Sequence, residues 1–527
     1  MAQRYSGVLC HPTSFPAPHG IGDLGDAAFR FVDWLALAAQ RLWQILPLTP
    51  PGPGNSPYAS PSAFAGNPLL VSLSWLAGDG LLERAAIDNH PPFPDYAVDY
   101  PAVEAWKLAR LRDAFSAFRR GAAADQRQAF DAFRAEAAGW LDDYALFMAL
   151  KAAYGGAGWL DWDAAQRRRE PAALDAARAE HADEIRFHQF VQFQFRRQWR
   201  ELRRYANERD IRIVGDLPIF VAHDSADVWA NQHLFRLDPE GRPLVVAGVP
   251  PDAFTDQGQL WGNPHYDWGA HAGEAYAWWT ARVRASLDLV DLLRIDHFRG
   301  FAAAWVVPAD APTAATGRWE EGPKSAIFEA MRGEFGELPF IVEDLGVVTD
   351  DVVELRETLV LPGMKILQFA FGSGADNAYL PHTYEPGCVV YPATHDNQTT
   401  IGWFATLPEW QRQDVQRYLG KDGGDIAWDL IRLALASVAE MAVLPLQDVM
   451  RLGDEARMNT PGRAEGNWGW RYEQHMLHPG LGAGLAELVT AYGRRPPRTE
   501  DRGRDPFDYT APNAAHRLHT AADPWSG

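Results

Sequence analysis

The sequence predicts an α/β protein, a (β/α)8 TIM barrel with a large, mostly helical insertion between strands 2 and 3 and with long βα loops. Two observations lead to this prediction. Short apolar runs alternate with helical patterns over most of the chain, which favours βα units and a parallel sheet. The apolar runs number eight, which is the strand count of this barrel.

The eight predicted strands lie between helical segments, and turn residues such as Pro50 and Pro51 end the apolar runs. The fourth strand follows an apolar run at 287–293 and leads into the charged stretch 294–299. The predicted strands span residues 5–11, 42–48, 211–221, 293–296, 340–346, 364–369, 389–396 and 443–448.

Residues 71–207 interrupt this alternation and are predicted to be mostly helical, with helices at 102–120, 125–138, 140–153 and 174–207. Within the last of these, residues 187–195 alternate with a period of two, which alone favours a strand. Charged, helix-favouring residues on both sides favour a helix instead.

These patterns divide the chain into four parts. Residues 1–50 hold the first two barrel strands, 51–205 form a Pro-rich loop and the helical insertion, and 206–494 complete the barrel with its loop insertions. Residues 495–527 are Pro-rich and charged without periodicity, so we expect a disordered tail there.

Composition excludes several classes of function. The net charge of −20 argues against nucleic acid and anionic membranes, because both require a basic face. The apolar run at 431–450 is broken by charged residues and reads as a core helix followed by a strand, not as a membrane span. Cys10 and Cys388 are too few for a disulfide framework, and residues 1–9 lack the pattern of a signal peptide. We therefore expect a cytoplasmic protein.

Acidic residues end four of the predicted strands, namely Asp216, Asp296, Glu343 and Asp396. Chemistry in such barrels takes place where strands end and βα loops begin. Because adjacent strands lie about 4.8 Å apart, Asp296 and Glu343 are expected to face each other at about 5 Å, the separation found in retaining glycosidases.

The neighbours of these acids suggest different roles. Arg294 lies on the same side of its strand as Asp296 and is expected to keep it ionised as a nucleophile. Glu343 has no arginine beside it in the sequence, so we expect it to be protonated and to act as acid and base. Asp396, which follows His395, could accept hydrogen bonds from sugar hydroxyls.

Three other interpretations remain open for these residues. Arg294 and Asp296 could be a buried ion pair at a strand end, and a single strand-end carboxylate is often a capping or loop residue. A divalent cation site is the third, although the acidic residues show no clear ligand spacing, and we expect no metal.

Several blocks, in this order along the chain, carry a family resemblance. They are GVL (7–9), HPTS (11–14), SPY (56–58), GDLPIFV (215–221), AGVPPD (247–252), WGNP (261–264), RIDHFR (294–299), VEDLG (342–346), THDN (394–397), RMNTPG (457–462) and NW (467–468). From about Tyr5 to Arg494 the chain resembles the amylomaltases, the 4-α-glucanotransferases of glycoside hydrolase family 77 in the α-amylase clan.

The resemblance implies transfer of α-1,4-glucan segments with retention of configuration and without a cofactor. It matches Asp296 to the family's nucleophile, Glu343 to its acid/base and Asp396 to its transition-state stabiliser. The implied partners are maltooligosaccharides, amylose and glycogen-derived dextrins. The implied substrate-binding residues are Asp216, Arg294, His395, Tyr58, Gln259, Trp261, Asn459, Pro461 and Asn467.

Two alternatives to transfer stay open, an α-glucan hydrolase on the same barrel and a glucan-binding protein that has lost catalysis. Ordinary α-amylases carry Asn-His after the strand-three aspartate, whereas Leu217 and Pro218 follow Asp216 here, which favours the transferase branch. We expect the loops 51–68 and 247–261 to set the ratio of transfer to hydrolysis.

Overall fold

The computed structural model describes residues 4–251, 256–346 and 348–495. The expected disordered tail therefore lies outside the described residues, except for Arg495. The strands are β1 (Tyr5–Leu9), β2 (Leu42–Gln44), β3 (Arg212–Leu217), β4 (Val245–Val249), β5 (Gln259–Pro264), β6 (Leu292–Ile295), β7 (Ala303–Pro308), β8 (Arg318–Glu321), β9 (Phe340–Val342), β10 (Gly363–Ile366), β11 (Cys388–Tyr391) and β12 (Met441–Pro445).

Helices occupy most of the remaining chain. They are α1 (Asp26–Leu37), α2 (Leu73–Gly78), α3 (Arg84–Asp88), α4 (Tyr100–Arg120), α5 (Gln126–Glu136), α6 (Ala138–Ala153), α7 (Ala164–Arg167), α8 (Pro171–Glu180), α9 (Ala182–Asn207), α10 (Ala226–Ala230), α11 (Trp268–Gly273), α12 (Ala277–Leu287), α13 (Arg299–Ala302), α14 (Ser325–Phe335), α15 (Asp350–Leu359), α16 (Thr400–Thr406), α17 (Glu409–Leu419), α18 (Ile426–Ala436), α19 (Leu446–Val449) and α20 (Pro479–Ala491).

A closed parallel barrel forms the centre of the molecule, with strands in the order β1-β12-β11-β10-β9-β6-β3-β2. Each of the eight corresponds to one of the predicted strands, so the predicted barrel is confirmed. Several strands end earlier than predicted, because Pro218 follows β3 and Pro392 follows β11 and a proline cannot donate a hydrogen bond to the neighbouring strand.

The helical insertion lies between β2 and β3, as predicted. The alternating aromatic run belongs to α9, where Phe187, Phe190 and Phe193 are buried, so the preference for a helix was correct. The single helix predicted at 174–207 is instead two helices, α8 and α9, with His181 between them. The break lets both helices bury apolar side chains, Leu174 in α8 and Phe187 in α9.

A second sheet was not predicted. Strands β4, β5, β7 and β8 form an antiparallel sheet in the order β5-β4-β7-β8. The sequence interpretation treated 238–267 as a loop, but β4 and β5 lie within it. Strand β4 pairs with β5 on one side and on the other with β7, which lies more than fifty residues further along the chain, so local patterns do not reveal the whole sheet.

The apolar run at 431–450 divides as expected into the end of helix α18 and the strand β12. Over the three described ranges, the structure contains no helix with the length and apolarity that crossing a membrane requires.

Candidate active site

The strand-end acids converge at the carboxyl end of the barrel. Asp216 lies within β3, while Asp296 and Glu343 directly follow β6 and β9. Asp396 lies in the loop after β11. This convergence follows from parallel strands, whose carboxyl ends meet at one end of the barrel.

The register of the adjacent strands β3, β6 and β9 determines which charged groups lie next to one another. Asp216 pairs with Arg294 between β3 and β6, and Ile295 pairs with Val342 between β6 and β9. Asp296 and Glu343, one residue beyond that pair, therefore lie side by side, and the N–H of Glu343 donates to the carbonyl of Ile295 at 3.0 Å.

Arg294 contacts three carboxylates. Its Nη1 donates to both oxygens of Asp216 at 2.6 and 2.7 Å and to Asp296 Oδ1 at 3.0 Å. Its Nη2 lies 3.1 Å from Glu343 Oε2. The expectation that Glu343 lacks an arginine neighbour was wrong, because the guanidinium reaches across from the adjacent strand.

The carboxyl groups of Asp296 and Glu343 both contact the Arg294 guanidinium and interact electrostatically with each other. Burial and the Glu343 carboxylate raise the pKa of Asp296 well above its ordinary value. Burial alone would also raise the pKa of Glu343, but Arg294 and the His297 N–H lower it below its ordinary value. The pair therefore resists losing both of its protons, because two buried carboxylates repel each other.

His297 helps to hold Glu343 through its main chain. Its φ of 52° is in the left-handed region, which a histidine rarely adopts. In this conformation its N–H donates to Glu343 Oε2 at 2.6 Å. Backbone strain of this kind is characteristic of functional sites, where it fixes a group in place.

Tyr58 joins Asp216 to His395. Its hydroxyl donates to Asp216 Oδ2 at 2.9 Å and lies 2.9 Å from His395 Nε2. Because the hydroxyl proton points to Asp216, we assign the second bond to donation by His395 Nε2–H. The two rings stack, with centroids 5.4 Å apart and an interplanar angle of 10°. Tyr58 is thereby held flat against the histidine.

Asp396 is the most accessible of the three predicted catalytic carboxylates, with 38% of its side chain exposed. Asn459 Nδ2 donates to Asp396 Oδ1 at 2.6 Å, and Asp396 Oδ2 lies 3.2 Å from His395 Nε2. These contacts orient the carboxylate and leave part of it open to a ligand.

A cleft of about 1090 Å³ opens above these groups. All three catalytic candidates line it, and so do most of the predicted binding residues, namely Tyr58, Gln259, Trp261, His395, Asn459, Pro461 and Asn467. Asp216 and Arg294 lie beneath its surface, with side chains 0% and 2% exposed. The structure thus separates predicted residues that can touch a ligand from two that hold the others in place.

Comparison with known proteins assigns the family. A family model described as 4-alpha-glucanotransferase matches residues 10–476. The 4-alpha-glucanotransferases of Synechocystis and Thermus thermophilus are 50% and 48% identical to the chain, over 94% and 93% of it and 98% and 99% of their own lengths. A chloroplastic/amyloplastic relative from Arabidopsis thaliana is 44% identical over 94% of the chain and 86% of its own.

The chain belongs to the 4-alpha-glucanotransferase family.

Solved structures agree with this assignment and confirm the predicted fold. An amylomaltase from Streptococcus agalactiae in complex with acarbose has a TM-score of 0.91 and 37% identity, covering 93% of this chain and 100% of that chain. An amylomaltase from Corynebacterium glutamicum, at 18% identity, shares the fold with a TM-score of 0.74 over 94% of this chain and 75% of its own. The 4-alpha-glucanotransferase assignment makes the protein an enzyme that transfers glucan segments, as the sequence predicted.

Two loops cover the cleft of this 4-alpha-glucanotransferase. One runs from Pro51 to Tyr58 and the other from Asn459 to Trp468. They meet at Gly54, which has a φ of 67° and packs so close to the Ala464 carbonyl that a Cβ atom would clash with it. Asn467 braces the second loop from inside, accepting from the Thr460 N–H and donating to the Arg463 carbonyl, each at 2.8 Å.

Two residues of the site were missed in the sequence. Arg457 donates to the Asp396 carbonyl at 2.7 Å and to the Asn459 carbonyl at 2.7 Å. The Trp468 ring lies 5.6 Å from that of Tyr58 and 6.0 Å from that of His395. Both lie in blocks that carry the resemblance, and their proximity to Asn459 and Asn467 was the available signal.

Among the described residues, no group of three or more histidine, cysteine, aspartate or glutamate side chains is arranged to hold a metal ion. Part of the predicted loop 247–261, residues 252–255, lies outside the described residues.

Proposed function

We propose that the enzyme transfers segments of α-1,4-glucans between maltooligosaccharides, amylose or glycogen-derived chains by a retaining double displacement. Asp296 acts as nucleophile, Glu343 as general acid and base, and Asp396 as transition-state stabiliser. The shared contact of the Asp296 and Glu343 carboxyl groups with the Arg294 guanidinium carries this proposal, because retaining glycosidases require two carboxyl groups close together.

In the first step an Asp296 oxygen attacks C1 of a glucose unit. The bond from C1 to the glycosidic oxygen breaks, and Glu343 gives its proton to that oxygen, so the leaving glucan departs with a free 4-hydroxyl. In the second step Glu343 takes the proton from the 4-hydroxyl of an acceptor glucan. The acceptor oxygen attacks C1 and the ester bond to Asp296 breaks.

The first step requires that the one proton of the pair be on Glu343 and that Asp296 be ionised. Once Asp296 is esterified it carries no charge, and loss of a neighbouring anion lowers the pKa of Glu343. Glu343 then remains ionised and ready to act as a base.

Asp396 and His395 bind the sugar that carries the reacting C1. Asn459 occupies one oxygen of Asp396, and the exposed part of the carboxylate can accept hydrogen bonds from ring hydroxyls. Hydrogen bonds of this kind strengthen as the ring distorts towards the oxocarbenium-like transition state. Removing Asp396 should therefore lower kcat more than it raises KM.

The covering loops support transfer to a sugar in preference to water. The Gly54–Ala464 contact closes the space above part of the cleft, and exclusion of water there favours a bound glucan as acceptor. The contribution of the loop 247–261 to the preference for a glucan acceptor over water stays a prediction.

We also propose a cytoplasmic location, which agrees with the two free, buried cysteines, Cys10 and Cys388. The plant relatives differ, since the Arabidopsis protein is named chloroplastic/amyloplastic. Cell fractionation of the source organism tests this point.

Maltotriose tests the overall reaction. Transfer converts pure maltotriose into glucose and longer maltooligosaccharides, which chromatography resolves. Formation of shorter sugars alone would show hydrolysis instead, and no turnover would indicate a glucan-binding protein.

Glu343→Gln combined with α-maltosyl fluoride tests the separate roles. Fluoride leaves without a proton, so this variant should form the ester on Asp296 from the fluoride while failing with maltotriose. Mass spectrometry of the protein detects the added maltosyl group. Normal turnover of maltotriose by the variant contradicts the role of Glu343.

A further inference from the structure

The cleft extends well beyond the catalytic carboxylates to the helical insertion. Glu104 of α4 and Met148 and Lys151 of α6 line the same cavity as Asp296 and Glu343. The insertion thus forms one wall of the space in which a glucan chain would lie, although its helices contribute none of the predicted catalytic residues.

The loop after β3 runs from the catalytic end of the barrel to this wall. It begins next to Asp216, and its residues 218–220 and 222–224 line the cleft in succession. At its far end, Asp224 Oδ2 accepts a hydrogen bond from Lys151 Nζ at 2.5 Å. The main-chain N–H of Trp159 donates to Asp224 Oδ1 at 3.2 Å.

Lys151 and Asp224 retain access to the cleft, with 22% and 41% of their side chains exposed. An ammonium group has three donors and a carboxylate about four acceptor positions. Within the described structure, neither residue makes a hydrogen bond or ion pair with Asp296, Glu343 or Asp396. The pair is therefore separate from the catalytic groups but shares their cavity.

We propose that Lys151 and Asp224 form a distal sugar subsite, which binds the hydroxyl groups of a glucose unit remote from the bond that is cleaved. Charged groups with spare hydrogen-bonding capacity suit hydroxyl-rich rings, and Met148 supplies an apolar surface beside them. This subsite rests on the proposed function, because Lys151 and Asp224 line the same cavity as Asp296 and Glu343. It makes the enzyme favour longer glucans.

An ion pair that only joins the insertion to the barrel predicts something different. Its loss would lower stability and weaken activity by the same factor on every substrate. A distal subsite predicts a loss that appears only when the glucan is long enough to reach Lys151.

The experiment compares kcat/KM for maltotriose through maltoheptaose in the wild type and in Lys151→Met, which keeps the aliphatic stem. We expect maltoheptaose to lose about 10-fold, the value of one hydrogen bond to a charged group. Maltotriose should change by less than about twofold, because loss of a remote contact leaves the chemistry intact.

Two further variants complete the test. Asp224→Asn keeps an oxygen for the Trp159 N–H and should show the same dependence on length, even where Lys151→Met folds poorly. Lys421→Met is the matched control, because Lys421 pairs with Asp429 at the same 2.5 Å. This variant should leave kcat/KM unchanged for glucans of every length. Melting temperatures of all three show whether a loss of activity is a loss of folding.

An equal loss at every length, or no loss at any length, overturns the subsite. That result differs from failure of the proposed function, which would appear as wild-type enzyme producing no longer glucans from maltotriose.

Discussion

Two buried arginines at opposite ends of the barrel show how the groups around a guanidinium determine its pKa and its role. Arg294, at the carboxyl end of β6, is surrounded by Asp216, Asp296 and Glu343. Arg494, at the amino end of the barrel strands, is bound instead by main-chain carbonyls. Its acceptors include the carbonyls of Tyr5, Ala434, Leu435, Ser437 and Glu440.

The charges of the two arginines respond in opposite directions. Burial works against the charge of Arg294, but its three carboxylates outweigh burial and raise its pKa above the ordinary value. Burial and the nearby Arg4 lower the pKa of Arg494 to about 9. Carbonyl oxygens satisfy a guanidinium without compensating its charge. Arg294 is therefore suited to control ionisation in the site, and Arg494 to tie α18 and α20 to the base of the barrel.

The largest expected effect follows from removing one carboxylate partner of Arg294. Asp296→Asn keeps the size of the side chain but cannot attack C1, so kcat for maltotriose should fall by about 10⁴-fold or more. The melting temperature should change little, since the amide oxygen can still accept from Arg294. Maltoheptaose binding, measured by calorimetry, should persist, whereas residual activity within tenfold of wild type would remove Asp296 as nucleophile.

Changing the guanidinium itself should have the next largest effect. Arg294→Lys keeps one charge but cannot contact three carboxylates, so we expect kcat to fall by about 10²- to 10³-fold. Loss of this contact should raise the pKa values of the coupled Asp296–Glu343 pair, which moves the acid limb of the pH–rate profile to higher pH. An acid limb that stays in place would show that Arg294 does not control Glu343.

Arg282 offers the control for that measurement. It is a buried arginine near the same face, but it donates to the carbonyls of Pro218 and Ile219. Arg282→Lys should lower the melting temperature without moving the acid limb.

A change of Arg494, at the opposite end of the barrel, should lower stability and leave activity near wild type. Arg494→Met leaves several buried carbonyls without their donor, and we expect a loss of about 3 kcal/mol in the free energy of unfolding. Thermal unfolding measures the loss, while kcat well below the melting temperature should stay near wild type. Arg4→Met is the matched control, because Arg4 donates to Ser437 and Tyr492 carbonyls but is only partly buried, and its effect should be smaller. A large fall in kcat for Arg494→Met would contradict the comparison.

A buried carboxylate without a guanidinium sharpens the same comparison. Asp448 is fully buried, and its described partners are the Thr400 N–H and hydroxyl at 2.8 and 2.7 Å. Burial raises its pKa to about 6, although Thr400 opposes the shift. Because this exceeds the unfolded value of about 3.9, its contribution to stability is present below about pH 4 and is lost as the pH rises through about 6.

Asp448→Asn removes that titration and can keep both hydrogen bonds. Relative to wild type, the variant should gain about 2 kcal/mol between pH 4 and pH 7. Melting temperatures across this range measure the gain. A difference in melting temperature that is the same at both pH values would show that the pKa of Asp448 does not differ between the folded and unfolded states.

The barrel was predictable because its signals are local. Each barrel strand is a short apolar run ended by turn residues, as in 42–48. The acids at the ends of such runs indicated the position of the site. Tyr58, Gln259 and Asn459 came from the resemblance, since nothing in their own neighbourhood indicates a cleft. The sheet of β4, β5, β7 and β8 escaped notice because its two local pairs, β4–β5 and β7–β8, are joined by the β4–β7 pairing, which spans more than fifty residues.

The sequence by itself determined the eight strands, the helical insertion and the carboxylates at the end of the barrel. Apolar periodicity and turn residues, which indicate these features, act over only a few residues. Only the tertiary structure decided that Arg294 also contacts Glu343 and that burial raises the pKa of Asp296. It also decided that Arg494 ties the base of the barrel together. A pKa and a buried hydrogen bond depend on neighbours from distant parts of the chain, and those neighbours exist only after folding.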